Sequence, residues 1–102
     1  MPEPGFIAHS SAKAALDAFS KSLALELGPH GIRVNVVAPG LTVTDATSGQ
    51  PKQMHDAIRA HTPLRRLGEP DDIAGAVLFF CSEGARFVTG TYLPVCGGAQ
   101  MT

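Results

Sequence analysis

Apolar residues follow a helical repeat in the first third of the chain. They recur at steps of three and four as Ala12, Ala15, Leu16, Phe19, Leu23 and Leu27. This spacing places them on one face of a helix, with Ser10 or Ser11 as its N-cap and an end near Leu27. Gly28 and Pro29 then stop the helix, because glycine favours helix ends and proline cannot continue one.

The pattern changes after this helix. Residues 32–38 are rich in β-branched residues and nearly continuously apolar from Val34, which predicts a parallel strand covered on both faces. Residues 51–61 have a weak helical repeat, and a stronger helix is predicted from Glu69–Pro70 to about Gly84. The apolar stripe of that helix consists of Ile73, Val77, Phe80 and Cys81. A second short strand is predicted at 91–95. The order of helix, strand, two helices and strand predicts an α/β fold in a single domain, residues 1–102.

Composition narrows the classes of function. The 102 residues carry a net charge of -1 without a basic cluster, which argues against a nucleic-acid or anionic-membrane partner. No apolar run approaches the roughly 20 residues of a membrane helix, and no signal peptide is visible, so we expect a cytoplasmic protein. Cys81 and Cys96 are expected to be buried free thiols. The histidines and cysteines lack metal-ligand spacing, so no metal site is expected.

One pair of residues could carry acid–base chemistry. His9 and Lys13 are four residues apart, hence on the same side of the predicted helix. A histidine, with an ordinary pKa of about 6.5, can give or take a proton at neutral pH. A nearby ammonium would favour its neutral form. The alternative is that His9 is a surface residue and Lys13 a solvated helix lysine.

Four segments resemble the short-chain dehydrogenase/reductase family in order and spacing. They are the Lys13 helix, residues 32–40, residues 62–70, and residues 88–90 leading to 95–98. The likeness is nearest to the bacterial type that includes 3-oxoacyl carrier-protein reductases and ketoreductases of secondary metabolism. The resemblance implies a truncated Rossmann-like fragment with two parallel strands from the family's doubly wound sheet. We expect this fragment to be completed by oligomerisation.

The resemblance also assigns roles to single residues. Lys13 matches the lysine that holds the nicotinamide ribose in relatives. Pro39 and Gly40 match the turn whose backbone lies against the nicotinamide. Thr42 and Thr44 match positions that contact the carboxamide and the pyrophosphate. A vestigial cofactor-binding set is therefore expected at Pro39, Gly40, Thr42 and Thr44.

The sequence departs from the family at two places. His9 stands where the family has its proton-donating tyrosine, and Cys96 stands where an aspartate is usual before Gly97–Gly98. The Gly-rich turn that cradles a dinucleotide pyrophosphate does not occur in the sequence. The N-terminal dinucleotide-binding half of the family is therefore expected to be absent.

Three functions remain open at this stage. The first is non-redox acid–base chemistry, such as isomerisation, dehydration or cyclisation of a small polyketide-like molecule, carried out by His9 and Lys13. The second is the C-terminal half of a split or mis-delimited NADPH-dependent ketoreductase. The third is a non-catalytic oligomeric binding or scaffold module.

Whether the chain is an enzyme stays undecided. We expect no cofactor on the isolated chain, and NADP(H) only where a partner rebuilds a dinucleotide site. Expected partners are copies of the chain, in a dimer or tetramer, or the missing N-terminal half.

Overall fold

The computed structural model describes residues 7–40, 49 and 51–100, with side chains from Ser11 onward. Its main elements are α1 (Ile7–Leu27), β1 (Val36–Pro39), α2 (Lys52–His61), α3 (Pro70–Cys81) and β2 (Tyr92–Val95). The two strands form one parallel sheet, in which Val36 N–H donates to Thr91 O and Gly40 N–H to Val95 O. The predicted α/β class with two parallel strands is confirmed.

The end of α1 follows from a glycine three residues after the position that the sequence suggested. The helix stops at Leu27, as predicted, and a short 3₁₀ turn covers Gly28–His30. Gly31 then adopts a left-handed φ of 75° and donates its N–H to Gly28 O at 2.9 Å. Glycine reaches this conformation without the steric cost that a Cβ would impose.

The predicted strand 32–38 is shorter in the structure, where β1 begins only at Val36. Before that point, side chains make part of the hydrogen bonding to residues 89–91, beside one backbone bond from Gly90 N–H to Val34 O. Val34 N–H donates to Thr89 Oγ1, and Asn35 Oδ1 accepts the Thr91 N–H. A segment bonded in this way stays extended without forming a ladder.

Helix α3 starts at Pro70, as predicted, because proline suits the first turn and Asp72 caps the preceding backbone. Asp72 Oδ2 accepts the Glu69 N–H at 2.8 Å. The helix ends at Cys81 rather than near Gly84, since a separate 3₁₀ turn covers Glu83–Ala85.

Two burial predictions were wrong. Phe80 is buried and Ile73 half-buried, but Val77 and Cys81 of the predicted stripe are exposed. The thiols are free but not buried, since Cys81 is exposed and Cys96 half-buried. Val77 and Cys81 follow Ile73 at steps of four on the same side of α3, so this side is only partly buried within the described chain.

The chain divides into two compact units, which are described separately. The first comprises residues up to Val36 together with Val88–Tyr92. In it α1 buries Ser20 and Ala24, and Ala24 Cβ lies 3.8 Å from where a Cβ on Gly90 would stand. The second comprises Val37–Phe87 and the residues from Leu93 onward. Its core contains Thr62, Leu67, Phe80 and Ala85. The prediction of a single domain stays a prediction.

Among the described helices, none has the length and apolarity that crossing a membrane requires.

Candidate functional site

The first candidate group lies on α1. Lys13 is half-buried, and its ammonium forms no ion pair with any side chain that the structure describes. The nearby ion pair is instead between Lys21 and Asp17, one helical turn apart. His9 belongs to the first turns of the same helix; its side chain lies outside the described part, so its predicted acid–base role stays a prediction.

The second candidate group lies at the carboxyl ends of β1 and β2. Gly40 N–H donates to Val95 O at 3.0 Å, which fixes the turn that follows β1. A Cβ on Gly40 would stand only 2.7 Å from the Cβ of Cys96. The turn therefore requires glycine at position 40. Pro39 is exposed beside it.

The structure brings the predicted site residues together in two sets. His9 and Lys13 share α1, whereas Pro39 ends β1 and Gly40 follows it directly. These two sets belong to different compact units. Thr42 and Thr44 lie outside the described residues, so their predicted contacts with a cofactor stay predictions.

Cys96 has a larger structural role than its sequence position suggested. Besides standing against Gly40, its Sγ accepts the Gln100 N–H at 3.3 Å. It also lines a cleft of about 230 Å³ in the second unit, together with Leu64, Leu67 and Val95. The sequence marked Cys96 only as a substitution for aspartate, because the contact with Gly40 depends on strand register.

The connector before α3 is anchored on the two glycines after β2. Gly97 and Gly98 have φ values of 62° and 91°, a region that favours glycine. Leu64 N–H donates to Gly97 O at 3.0 Å, and a Cβ on Gly98 would stand 2.9 Å from Pro63. Close backbone approach thus explains why two consecutive glycines follow the strand.

An ion pair closes the other side of the cleft. Arg66 donates two hydrogen bonds to the Asp72 carboxylate, at 2.7 Å and 2.9 Å. The hydrogen bond from Arg66, followed by that from the Glu69 backbone, lowers the pKa of Asp72 to about 2. The Arg66 pKa is raised, chiefly by the same hydrogen bond. Arg66 thus holds the start of α3.

Comparison with known proteins gives consistent matches. The family model described as enoyl-(acyl carrier protein) reductase matches residues 1–100. A 3-oxoacyl-[acyl-carrier-protein] reductase of Pseudomonas aeruginosa is 42% identical over the whole chain, which covers 41% of that protein. A 3alpha-hydroxysteroid dehydrogenase of Mediterraneibacter gnavus is 45% identical over 96% of the chain and 39% of its own length.

Solved structures agree with the sequence matches. The 3-oxoacyl-[acyl-carrier protein] reductase of Brucella melitensis superposes with a TM-score of 0.89 at 38% identity, over 94% of this chain and 36% of that one. Hydroxysteroid dehydrogenase of Escherichia coli gives a TM-score of 0.88 at 42% identity, over 95% and 41%. This chain thus spans about two fifths of the length of these relatives. With its sequence and fold both matched along nearly its whole length, the chain belongs to the short-chain dehydrogenase/reductase family.

Proposed function

We propose that this chain forms the catalytic-helix segment of an NAD(P)-dependent oxidoreductase acting on a ketone or secondary alcohol. The observation that carries the proposal is the Pro39–Gly40 turn at the carboxyl end of β1. Ligands of open parallel sheets bind beyond the carboxyl ends of the strands. The named relatives, a 3-oxoacyl reductase and hydroxysteroid dehydrogenases, act on ketones or secondary alcohols.

By the family resemblance, Lys13 and Gly40 would each contact the nicotinamide end of the cofactor. Lys13 is half-buried and forms no ion pair with a side chain that the structure describes. The pyrophosphate end has no counterpart here, because the sequence contains no Gly-rich turn leading into a helix. We therefore propose that a dinucleotide-binding segment similar to that of the relatives completes the site.

The chain's own residues would do the acid–base part of the reaction. A bound nicotinamide supplies or accepts the hydride. His9, as imidazolium, would give its proton to the carbonyl oxygen during reduction and take it back during oxidation. Lys13 would hold the ribose. Pro39 and Gly40 would limit where the nicotinamide ring can lie.

The substrate that we propose is a 3-oxoacyl thioester, by likeness to the reductases above. The polyketide-like substrate expected from the sequence gains no support from these relatives. Non-redox chemistry by His9 and Lys13 gains none either, since the relatives described above are reductases or dehydrogenases. Non-redox chemistry would become the preferred hypothesis if the redox test below failed.

The test is a chimera that places the unmatched N-terminal part of the Pseudomonas aeruginosa reductase before this chain. NADPH oxidation is followed with acetoacetyl-coenzyme A, a short 3-oxoacyl thioester. We expect slow reduction, because imidazole replaces the tyrosine of relatives. His9→Phe should lower turnover about 10²-fold or more, as loss of a general acid does.

Two further variants make the result decisive. Lys13→Met should weaken NADPH binding, while Lys21→Met, on the exposed ion pair of the same helix, is the matched control. His9→Tyr should raise turnover by restoring the family's donor. No turnover even with His9→Tyr would refute the oxidoreductase proposal. Equal turnover of the parent and His9→Phe chimeras would remove His9 from the mechanism.

We also propose that another polypeptide covers α1. Ala12, Ala15 and Leu16 are exposed, and Phe19 is 64% exposed, although they form the apolar face that the sequence predicted. A helix that is apolar on an exposed face is stabilised by covering it. The candidates are a second copy of the chain and the dinucleotide-binding segment. Light scattering of the chain alone and of the chimera separates these two.

A further inference from the structure

The beginning of β1 is held in register against residues 88–91 by backbone bonds, from Gly90 N–H to Val34 O and from Val36 N–H to Thr91 O, and by side chains. The Asn35 amide donates to Val88 O at 3.0 Å, and its Oδ1 accepts the Thr91 N–H at 3.1 Å. Val34 N–H donates to Thr89 Oγ1 at 3.0 Å. Asn35 thus bonds both ends of residues 88–91 at once, which requires a side chain that donates and accepts.

The far end of β1 tolerates only one register. Gly40 stands where a Cβ would come within 2.7 Å of Cys96 Cβ and 3.0 Å of its Cα. A slip by one residue would place Pro39 or Leu41 in that space and turn every side chain of the strand to the other face. The register that Asn35 supports, together with the backbone bonds at Val34 and Val36, is therefore the register in which the turn can form.

We infer that Asn35 is a positioning residue for the Pro39–Gly40 turn. Its amide fixes β1 against residues 88–91, and that register decides which backbone groups the turn presents at the carboxyl end of the sheet. The part of this inference that concerns the cofactor rests on the proposed function. The part that concerns the turn does not. Asp at position 35 would keep the acceptor for Thr91 N–H but would face Val88 O with a second acceptor.

Hydrogen exchange measured by NMR on the full chain tests the structural part. In Asn35→Asp we expect the Gly40 amide, bonded to Val95 O, to exchange about tenfold faster or more, while α1 amides change less. Ser20→Ala is the matched control, because Ser20 is buried and its hydroxyl donates within α1, to Asp17 O. In Ser20→Ala, the exchange rates of the Gly40 amide and the α1 amides should change by similar factors.

An equal change of Gly40 and α1 amides in Asn35→Asp would overturn the inference, because Asn35 would then contribute only to global stability. Should Asn35→Asp fail to fold, Thr89→Val removes the neighbouring acceptor of Val34 N–H and leaves Asn35 in place. It should produce a smaller change at Gly40 in the same direction. No selective change at Gly40 in that variant would overturn the inference as well.

The chimera tests the part that concerns the reaction. In a chimera that carries Asn35→Asp, the misplaced turn should lower kcat more than it raises the KM for NADPH. The reason is that the ribose and pyrophosphate contacts are made elsewhere. Ser20→Ala should leave this ratio unchanged. An inactive parent chimera would refute the proposed function, while the exchange result would still decide the role of Asn35 in the turn. An active chimera with unchanged kcat in Asn35→Asp would refute the positioning role in the reaction.

Discussion

Helix α1 and the Pro39–Gly40 turn carry different parts of the candidate chemistry, and they depend on different surroundings. The turn is fixed by contacts within the chain, through Val95 O and Cys96. Helix α1 packs through Ser20 and Ala24, while the opposite apolar face around Phe19 stays exposed. The comparison indicates that contacts within the described chain fix the backbone at Gly40, whereas we expect the exposed face of α1 to be covered by the partner proposed above.

The largest effect is expected from a substitution that fills the space between Gly40 and Cys96. Gly40→Ala should lower the free energy of unfolding by about 1–3 kcal/mol, the usual cost of overpacking, because the new Cβ would press on Cys96. Urea unfolding of the two proteins measures the difference.

A second substitution checks the cause of that loss. Cys96→Gly in the Gly40→Ala background removes the nearer atom, although Cys96 Cα at 3.0 Å remains close. Part of the lost stability should return. Strictly additive effects of the two substitutions would show that Gly40 matters for a reason other than this contact.

A glycine without close neighbours should behave in the opposite way. Gly75 lies inside α3, and apart from its own helical turn no atom of the described residues lies within 4 Å of a Cβ built on it. Gly75→Ala should raise the free energy of unfolding by about 0.5–1 kcal/mol, because alanine loses less backbone entropy in a helix. The same urea experiment measures it, and a loss of stability would mean that this face of α3 is covered in solution.

The ion pair at the start of α3 should appear as a small acid effect. The pKa of Asp72 is lowered from 3.8 to about 2 in the folded chain. Its contribution to stability is therefore complete above 3.8 and is lost as the pH falls through about 2. Thermal melts from neutral pH to about pH 2 should show the advantage of the parent over Asp72→Asn shrinking across that window. Asp71→Asn, at the neighbouring exposed carboxylate, is the control; an identical pH profile would contradict the assignment.

The smallest effect on stability is expected on the exposed face of α1. Phe19→Ser should change the free energy of unfolding by less than about 0.5 kcal/mol, because Phe19 is 64% exposed. It should nevertheless reduce self-association measured by light scattering. Leu25→Ser, at an 81% exposed residue on another side of α1, is the matched control. A large loss of stability in dilute Phe19→Ser would show that the face packs within one chain.

Local signals in the sequence predicted much of this fold. The periodicity up to Leu27 predicted α1, and Pro70 with its acidic neighbours predicted the start of α3, because these features act over a few residues. The sequence did not show which face of α1 packs, since Lys13 and Asp17 are more buried than Leu16 and Phe19. Which face packs depends on the shape and polarity of the neighbouring surface, and the periodicity of the helix carries no information about that surface.

The candidate site was predictable to a similar degree. The resemblance identified Lys13 and Gly40 by position. It did not reveal that Cys96 stands against Gly40 or that Asn35 bonds residues 88–91, because both contacts join segments more than fifty residues apart. A polar residue at the start of an otherwise apolar strand was the one available signal for Asn35.

That separation also bears on the order of folding. The bonds that begin the sheet link residues 53 to 56 positions apart, whereas α1, α2 and α3 each close through neighbours. Closing a long loop costs entropy before any strand contact returns it. The helices should therefore form early and the β1–β2 pairing late, so the backbone at Gly40 is among the last parts of the chain to reach its native geometry.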